Sequence, residues 1–512
     1  MKKITSVLLT LFTALTTFAQ DTVDPESIDQ QINSLFEPFS DFIGRIIFVA
    51  FDFNVDNVSI GVPAVLIWLL VAALFFTVYF KFVNFKHFKT AINIVRGKYD
   101  DPNETGEVSH FQALTAALSG TVGLGNIAGV AVAISLGGAG ATFWMILAGF
   151  LGMSTKFVEC TLGVKYRTID KKTGTVYGGP MYYLREGFSQ MSMVIEGKKH
   201  TFSKMGKLFA GIFAVACIGG SFGGGNMFQA KSAFDQVSNL LPQDSVFQHG
   251  WIFGSILAIC VAVVIIGGIK SIAKVTDKVV PFMCVLYVLA ALYVIFYNYD
   301  HIGAAFTEII QSAFSNEAIG GGIVGVMIQG FKRSAFSNEA GIGSASIAHS
   351  AVKTSYPASE GLVALLEPFI DTVVVCTMTA LVLVITGFHN DTSGLEGVLL
   401  TSKAFGSAIP FASYIMTVAV VLFAFSTMIS WSYYGVQAWT YLFGKKKKTE
   451  TLYKIIFCIF VVVGSASKLD AVVNFSDCMI FLMCFPNIVG LYFLAPIVKN
   501  ELNKYLAHIK TM

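Results

Sequence analysis

Gly120-Thr121-Val122-Gly123-Leu124-Gly125-Asn126-Ile127-Ala128-Gly129 places four glycines in ten residues, inside an apolar run over 111–136. Each glycine in a helix interior costs up to about 1 kcal/mol relative to alanine. Two explanations are open: small residues let helices pack closely in lipid, or the helix is broken here. A second stretch bears on the choice. It runs from Gly320-Gly321-Gly322 through Gly330-Phe331-Lys332-Arg333-Ser334-Ala335-Phe336-Ser337-Asn338-Glu339-Ala340-Gly341. Glycine-interrupted spans at corresponding places in two halves of a chain point to paired broken helices with a binding site between them. At about 1.5 Å rise per residue, Gly123 falls roughly 20 Å from the inner end of its helix, near the bilayer midplane.

Composition makes lipid the main solvent. Of 512 residues 54% are hydrophobic and 13% charged, with a mean hydropathy of +0.67. A soluble domain carries about a quarter charged residues. Apolar runs predict an all-α integral membrane protein with an extra span near 62–83. Ten core spans follow near 111–136, 141–164, 206–231, 250–269, 278–298, 319–346, 359–387, 410–442, 452–467 and 471–498. Basic residues test the orientation. Lys81 to Lys98, Lys165 to Lys199, Lys270 to Lys278, Lys353, the run 445–448, Lys499 and Lys504 all fall on one side. The other side holds Lys231, Lys403 and Lys468 beside Asp235, Asp244, Asp300, Glu308, Asp391 and Glu396. The positive-inside rule then sets the mature N-terminus outside and the C-terminus inside.

Ten core spans divide into five and five, and an odd number per set forces the second set to be inverted. The expected organisation is a first repeat over 111–298, a second over 319–498 and a cytoplasmic tail over 499–512. Ahead of these, 61–110 holds the extra span and a cytoplasmic loop, and 20–60 is an acidic, amphipathic periplasmic segment. Lys2 and Lys3 before the apolar run 4–18, with Thr17 and Ala19 at a possible cut, predict a signal peptide over 1–19. An inner-membrane location follows from that reading.

A helix broken inside a bilayer frees backbone groups that lipid cannot satisfy. The amides of Leu124 and Gly125, beside Gly123 and Asn126, would open a half-helix whose positive end suits a carboxylate. Carbonyls around Ser119, Gly120 and Val122 would suit Na⁺. A zwitterionic α-amino acid carries the complementary groups and needs no charged side chain. Asn226 and Gln229, three apart, either face that substrate or brace the first broken helix. Phe336, taken to follow the second break, would close the apolar side of a small pocket.

The chain resembles the alanine or glycine:cation symporter family, also called the sodium:alanine symporter family. The resemblance lies in 120–129, Tyr177-Gly178-Gly179-Pro180, Gly225-Asn226-Met227-Phe228-Gln229, the stretch from Gly267-Gly268-Ile269-Lys270 to Pro281-Phe282-Met283, 336–343, Phe369-Ile370-Asp371-Thr372 and Trp431-Ser432-Tyr433-Tyr434-Gly435. It implies the leucine-transporter fold, coupling to Na⁺ or sometimes H⁺, and alanine or glycine as substrate. The segment 122–126 also resembles the broken first helix of neurotransmitter:sodium symporters. That likeness implies Ser426 and Thr427 as sodium ligands and Trp431 as a pocket wall. The plainer alternatives are a hydroxyl bonded back to its own helix and core packing.

Deep charges complete the candidates. Lys332, Arg333, Glu339 and Asp371 read as an internal ion-pair lock between the sixth and seventh core helices, with Asp371 or Glu339 as a sensor of the coupling ion or a proton the alternative. The stretch 312–318 repeats 334–340 in an expected outer loop and receives no role. Eight scattered cysteines form no CxxC pair. His349 reads as loop, HExxH is absent and no serine pairs with an evident base, which speaks against a hydrolase. No cofactor, nucleic acid or obligate protein partner is implied. A proton-coupled carrier of the same fold and a non-transporting amino-acid sensor stand as alternatives.

Overall fold

Helix dominates the computed structural model, which describes residues 47–511 except 56–57, 100, 102–103, 196–197, 316–321 and 391–393, and also 38, 42, 44 and 45. The expected signal peptide and most of 20–60 lie outside the described residues. The end of that segment enters a hairpin, β1 (Ala50–Val55) against β2 (Val58–Pro63).

The hairpin leads into α1 (Ala64–Tyr79), followed by α2 (Phe88–Val95). Next come α3 (His110–Thr121), α4 (Ala128–Gly137), α5 (Ala141–Lys165), α6 (Pro180–Gln190), α7 (Ser203–Phe222) and α8 (Phe228–Ser238). The middle of the chain forms α9 (Gly250–Ile265), α10 (Gly268–Tyr297), α11 (Ile302–Ala313), α12 (Gly322–Asn338) and α13 (Ala345–His349). The remainder forms α14 (Pro357–Ala364), α15 (Thr377–Ile385), α16 (Gly397–Gly406), α17 (Ala412–Phe443), α18 (Lys447–Ala466) and α19 (Leu469–Ile509). Among the described residues seven helical segments are long and apolar enough to cross a membrane, and the bent pair formed by α3 and the helix after it makes an eighth. α1 and α9 are shorter apolar helices. Two of the long segments widen into π-helical turns, at Gly223–Met227 and Phe369–Cys376. Such turns are frequent at functional sites.

Two interruptions organise the interior. Ser109 and Gln112 form a capping box that starts α3. The helix ends at Thr121, the chain continues as a short 3-10 turn (Leu124–Asn126), and the two helical parts meet at 57°. In the second case α12 ends at Asn338 and helix resumes at Ala345. Between them Glu339, Gly341 and Gly343 all have positive φ, 56°, 91° and 91°. Glu339 is the unusual one, because a side chain is rarely held there without functional need. Every residue from 113 to 131 is buried.

Surrounding elements hold these segments in place. The extra helix α1 packs on α5 and α19, and Asn84 Nδ2 donates to the Phe150 carbonyl at 2.9 Å. Of the repeated stretch 312–318, expected as loop, Ser312 and Ala313 form the end of α11, and the Ala313 carbonyl accepts from Trp144 Nε1 at 3.1 Å. That contact packs its start against the beginning of α5, and its residues 316–318 lie outside the described residues.

Candidate functional site

The backbone groups freed at the first interruption find partners on four other segments. Gly123 N donates to Asn126 Oδ1 at 2.9 Å, and Leu124 N donates to Gln229 Oε1 at 3.1 Å. Asn126 Nδ2 donates to Asp371 Oδ1 at 2.6 Å, while Thr379 Oγ1 donates to the Asn126 carbonyl at 2.8 Å. On the α3 side of the break, Trp431 Nε1 lies 3.2 Å from the Gly120 carbonyl, and Ser119 Oγ donates to the Ser426 carbonyl at 2.6 Å. Gln229 thus braces the first interrupted helix, holding the Leu124 amide that the sequence reading offers to a carboxylate. Asn226 does neither expected job: its Nδ2 donates to the Phe457 carbonyl on α18 at 2.7 Å.

The second interruption is tied to the first through two acids. Asp371 accepts from Ser337 Oγ and Thr372 Oγ1, each at 2.8 Å, as well as from Asn126. Glu339 accepts from Trp431 Nε1 at 3.1 Å and from Ser344 Oγ. One indole therefore spans both breaks. Trp431 fits because Gly225 has no side chain: a Cβ there would stand 2.2 Å from Trp431 Cγ.

Thr427, like Asn226 Oδ1, Ser430 Oγ and Tyr434 Oη, is an exception to this satisfied interior. Its Oγ1 is buried and has no hydrogen-bond partner among the described residues. It also points at the first break, since a Cβ on Gly123 would lie 2.4 Å from it. Ser426 differs, with Oγ turned back to the Phe423 carbonyl at 3.0 Å. An unpartnered buried hydroxyl is costly, and one aimed at exposed backbone fits the coordination of a small hard cation.

Two expectations are overturned. Phe336 precedes the second interruption, in the last turn of α12, where it meets Phe228 edge-on at 5.5 Å. Lys332 and Arg333 pair with neither Glu339 nor Asp371. Both reach Asp477 on α19, at 2.9 Å and 3.3 Å. Their long side chains span to the neighbouring helix, whereas the two acids are engaged by hydroxyls, an amide and an indole. A cavity of about 280 Å³, lined in part by Gly129, Phe228, Arg333 and Glu396, lies above the first break. One of about 550 Å³, lined in part by Glu107, Tyr177, Tyr433 and Lys445, lies at the opposite end.

Residues 45–512 match the family model described as the sodium:alanine symporter family. The chain belongs to that family. Among its relatives, a sodium/alanine symporter, AgcS, of Methanococcus maripaludis is 40% identical over 88% of this chain and 95% of its own. A probable sodium/glutamine symporter, GlnT, of Bacillus subtilis is 31% identical over 87% and 90%. A solved Na⁺-coupled sialic acid symporter has 15% identity and a TM-score of 0.50, covering 78% of this chain and 81% of that one, which shows a shared fold. This symporter-family chain is thus a multi-pass membrane transporter of the leucine-transporter fold, and not an enzyme.

Sequence reasoning missed one feature of this symporter-family member. His349, read as loop, is fully buried between Glu360 and Glu367. Lys156, also fully buried, pairs with Glu367 at 3.3 Å. Cys160, His349 and Glu367 stand close enough to share an ion, yet Lys156 already supplies positive charge to that carboxylate. The available signal was Lys156 and Glu159 inside one apolar run and Glu360 and Glu367 inside another, since intramembrane charges are costly and mark function.

Proposed function

We propose that this protein imports a small neutral amino acid, alanine or glycine, together with Na⁺ by alternating access. The observation that carries the reading is the Thr427 hydroxyl, buried without a partner and aimed at the backbone of the first break. Na⁺ would sit among Thr427 Oγ1 and the carbonyls of Ser119, Gly120 and Val122, with Ser426 beside them. The substrate carboxylate would take the Leu124 and Gly125 amides, displacing Gln229. Trp431 and Phe336 would wall the pocket, and Asp371 and Glu339 would transmit occupancy between the breaks.

The architecture behind this is a 5+5 inverted repeat after one extra span, with its first and sixth core helices broken. The N-terminus would face the periplasm and the C-terminus the cytoplasm, across a bacterial inner membrane. The cavities at the two ends supply the outer and inner vestibules, and the buried segment 113–131 separates them. A membrane potential contributes about 2.3 kcal/mol per charge per 100 mV, roughly a 50-fold gradient for one Na⁺ carried with a zwitterion. The close packing where Trp431 lies on Gly225, and where a Cβ on Gly125 would stand 3.5 Å from Phe336 Cδ1, favours alanine over glutamine. Uptake of labelled alanine into proteoliposomes tests this: it should require an inward Na⁺ gradient and be outcompeted by glycine but not glutamine. Uptake that ignores Na⁺ rejects the coupling.

A further inference from the structure

Beside the two interruptions lies a group of buried ionisable side chains, of which only Glu339 has a part in the reading above. Lys156, Glu159, Glu339, His349, Glu360 and Glu367 are each at most 3% exposed, and His110 is 6% exposed at the inner start of α3. Several of them form an unbroken chain. His110 Nδ1 meets one oxygen of Glu360, whose other oxygen meets His349 Nδ1. His349 Nε2 meets Glu367 Oε1, and Glu367 Oε2 accepts from Lys156 Nζ. Lys156 lies within electrostatic reach of Glu159 and of Glu339, the residue bound to Trp431 at the second break. The chain thus leads from the inner end of the broken first helix to the candidate site.

Its charge does not close with fixed ion pairs. Four carboxylates face one lysine, so approaching neutrality in a dry interior takes about three more protons, shared among two imidazoles and four acids. The remaining neighbours add no buried cation. Cys160 on α5, Tyr183 on α6 and Tyr434 on α17 are neutral when protonated, and Asp371 adds negative charge. Arg167, just past α5, feels Glu360, but its guanidinium is spent on the carbonyls of Thr105, Ser350, Val352 and Thr354. Imidazole is the side chain that changes charge near neutral pH, and His349 is bracketed by two carboxylates.

We propose that the His110–Glu360–His349–Glu367–Lys156 chain is a proton-exchange site coupled to cation binding at the broken helices. A cation entering beside Gly123 and Thr427 adds a positive charge near the cluster. The cluster then releases up to one proton, from a nitrogen of His349 or an oxygen of its acids, through Glu360 and His110 to inner water. The proposal rests on the Na⁺-coupled reading above.

The test uses the purified full chain in detergent, weakly buffered with a pH-reporting dye. Na⁺ with alanine should release about 0.5–1 proton per protein, and K⁺ none. The Na⁺ half-saturation of labelled-alanine binding should tighten about three- to tenfold from pH 6 to pH 7, the most that one linked proton allows. His349→Gln should abolish the release and reduce this pH dependence to under about twofold. His110→Gln, at the edge of the cluster, should do the same and serves if the first variant does not fold. Na⁺-dependent alanine binding with no proton release and a flat pH profile overturns the proton site while leaving symport standing. Release that survives in both variants overturns the residue assignment. Absence of Na⁺-dependent alanine binding overturns both readings.

Discussion

Replacing Gly123 with alanine places one methyl group where the structure has no room for it. The new Cβ would stand 2.4 Å from Thr427 Oγ1 and 3.2 Å from Gln229 Oε1, inside the roughly 3.5–4.0 Å optimum for non-bonded atoms. Thr427 cannot swing aside cheaply, because a β-branched residue in a helix has few χ1 choices and this one is buried in α17. Overpacking of this kind costs about 1–3 kcal/mol. If that cost falls on the cation-binding conformation, Na⁺ half-saturation rises about 5- to 150-fold. The assay is labelled-alanine uptake into proteoliposomes against external Na⁺. Gly123→Ala combined with Thr427→Ala makes the control: the thermal midpoint in detergent should recover while Na⁺ affinity stays at least about tenfold weakened, since the clash is gone but so is the ligand. A Gly123→Ala protein with wild-type Na⁺ dependence, or a double variant with restored Na⁺ affinity, would refute the reasoning.

Other outcomes follow from single contacts. Gln229→Leu leaves the Leu124 amide without its resting acceptor, a loss of about 1–3 kcal/mol in the substrate-free protein; its thermal midpoint in detergent should fall, and because the carboxylate of alanine would cap that amide, saturating alanine should recover most of the loss. Asp371→Asn turns an acceptor oxygen into a donor against Asn126 or Ser337, and uptake should fall at least about tenfold with little change in thermal midpoint; unaltered Na⁺-driven uptake would make this acid dispensable to coupling. Asp477→Ala leaves Lys332 and Arg333 without their shared counter-charge. Breaking a buried pair costs about 3–5 kcal/mol, so folded, monodisperse protein should drop sharply, and Asp477→Glu should retain more of it than Asp477→Ala.

How much of this was legible in the chain differs by level. Apolar runs placed most of the long helices to within a few residues, because in lipid every backbone group must be satisfied within its own helix, although α10 starts ten residues earlier than expected and α19 ends eleven later. The first interruption lay within the glycine-rich stretch 120–129, around Gly123. The second was less visible: its glycine-rich stretch 320–330 suggested an early break, yet α12 continues to Asn338 and helical geometry is lost at Glu339, held at positive φ. That displacement moved Phe336 from after the break to before it. The motif around Asn226 pointed to the right helix turn, although Gln229 and not Asn226 reaches the broken segment.

Residue types and their spacing along the chain determined that this is a bundle of apolar helices with two weak points and a marked charge asymmetry. Those properties depend on neighbours in sequence and on the solvent around each helix. Partner choice was decided only by the tertiary structure: Lys332 and Arg333 to Asp477, Asp371 to Asn126 and Ser337, and His349 between two glutamates. Each of those pairs joins different segments of the fold, and a long side chain can satisfy its charge equally well on any helix within reach. Which helix lies within reach is a matter of packing in three dimensions, which one-dimensional patterns do not encode.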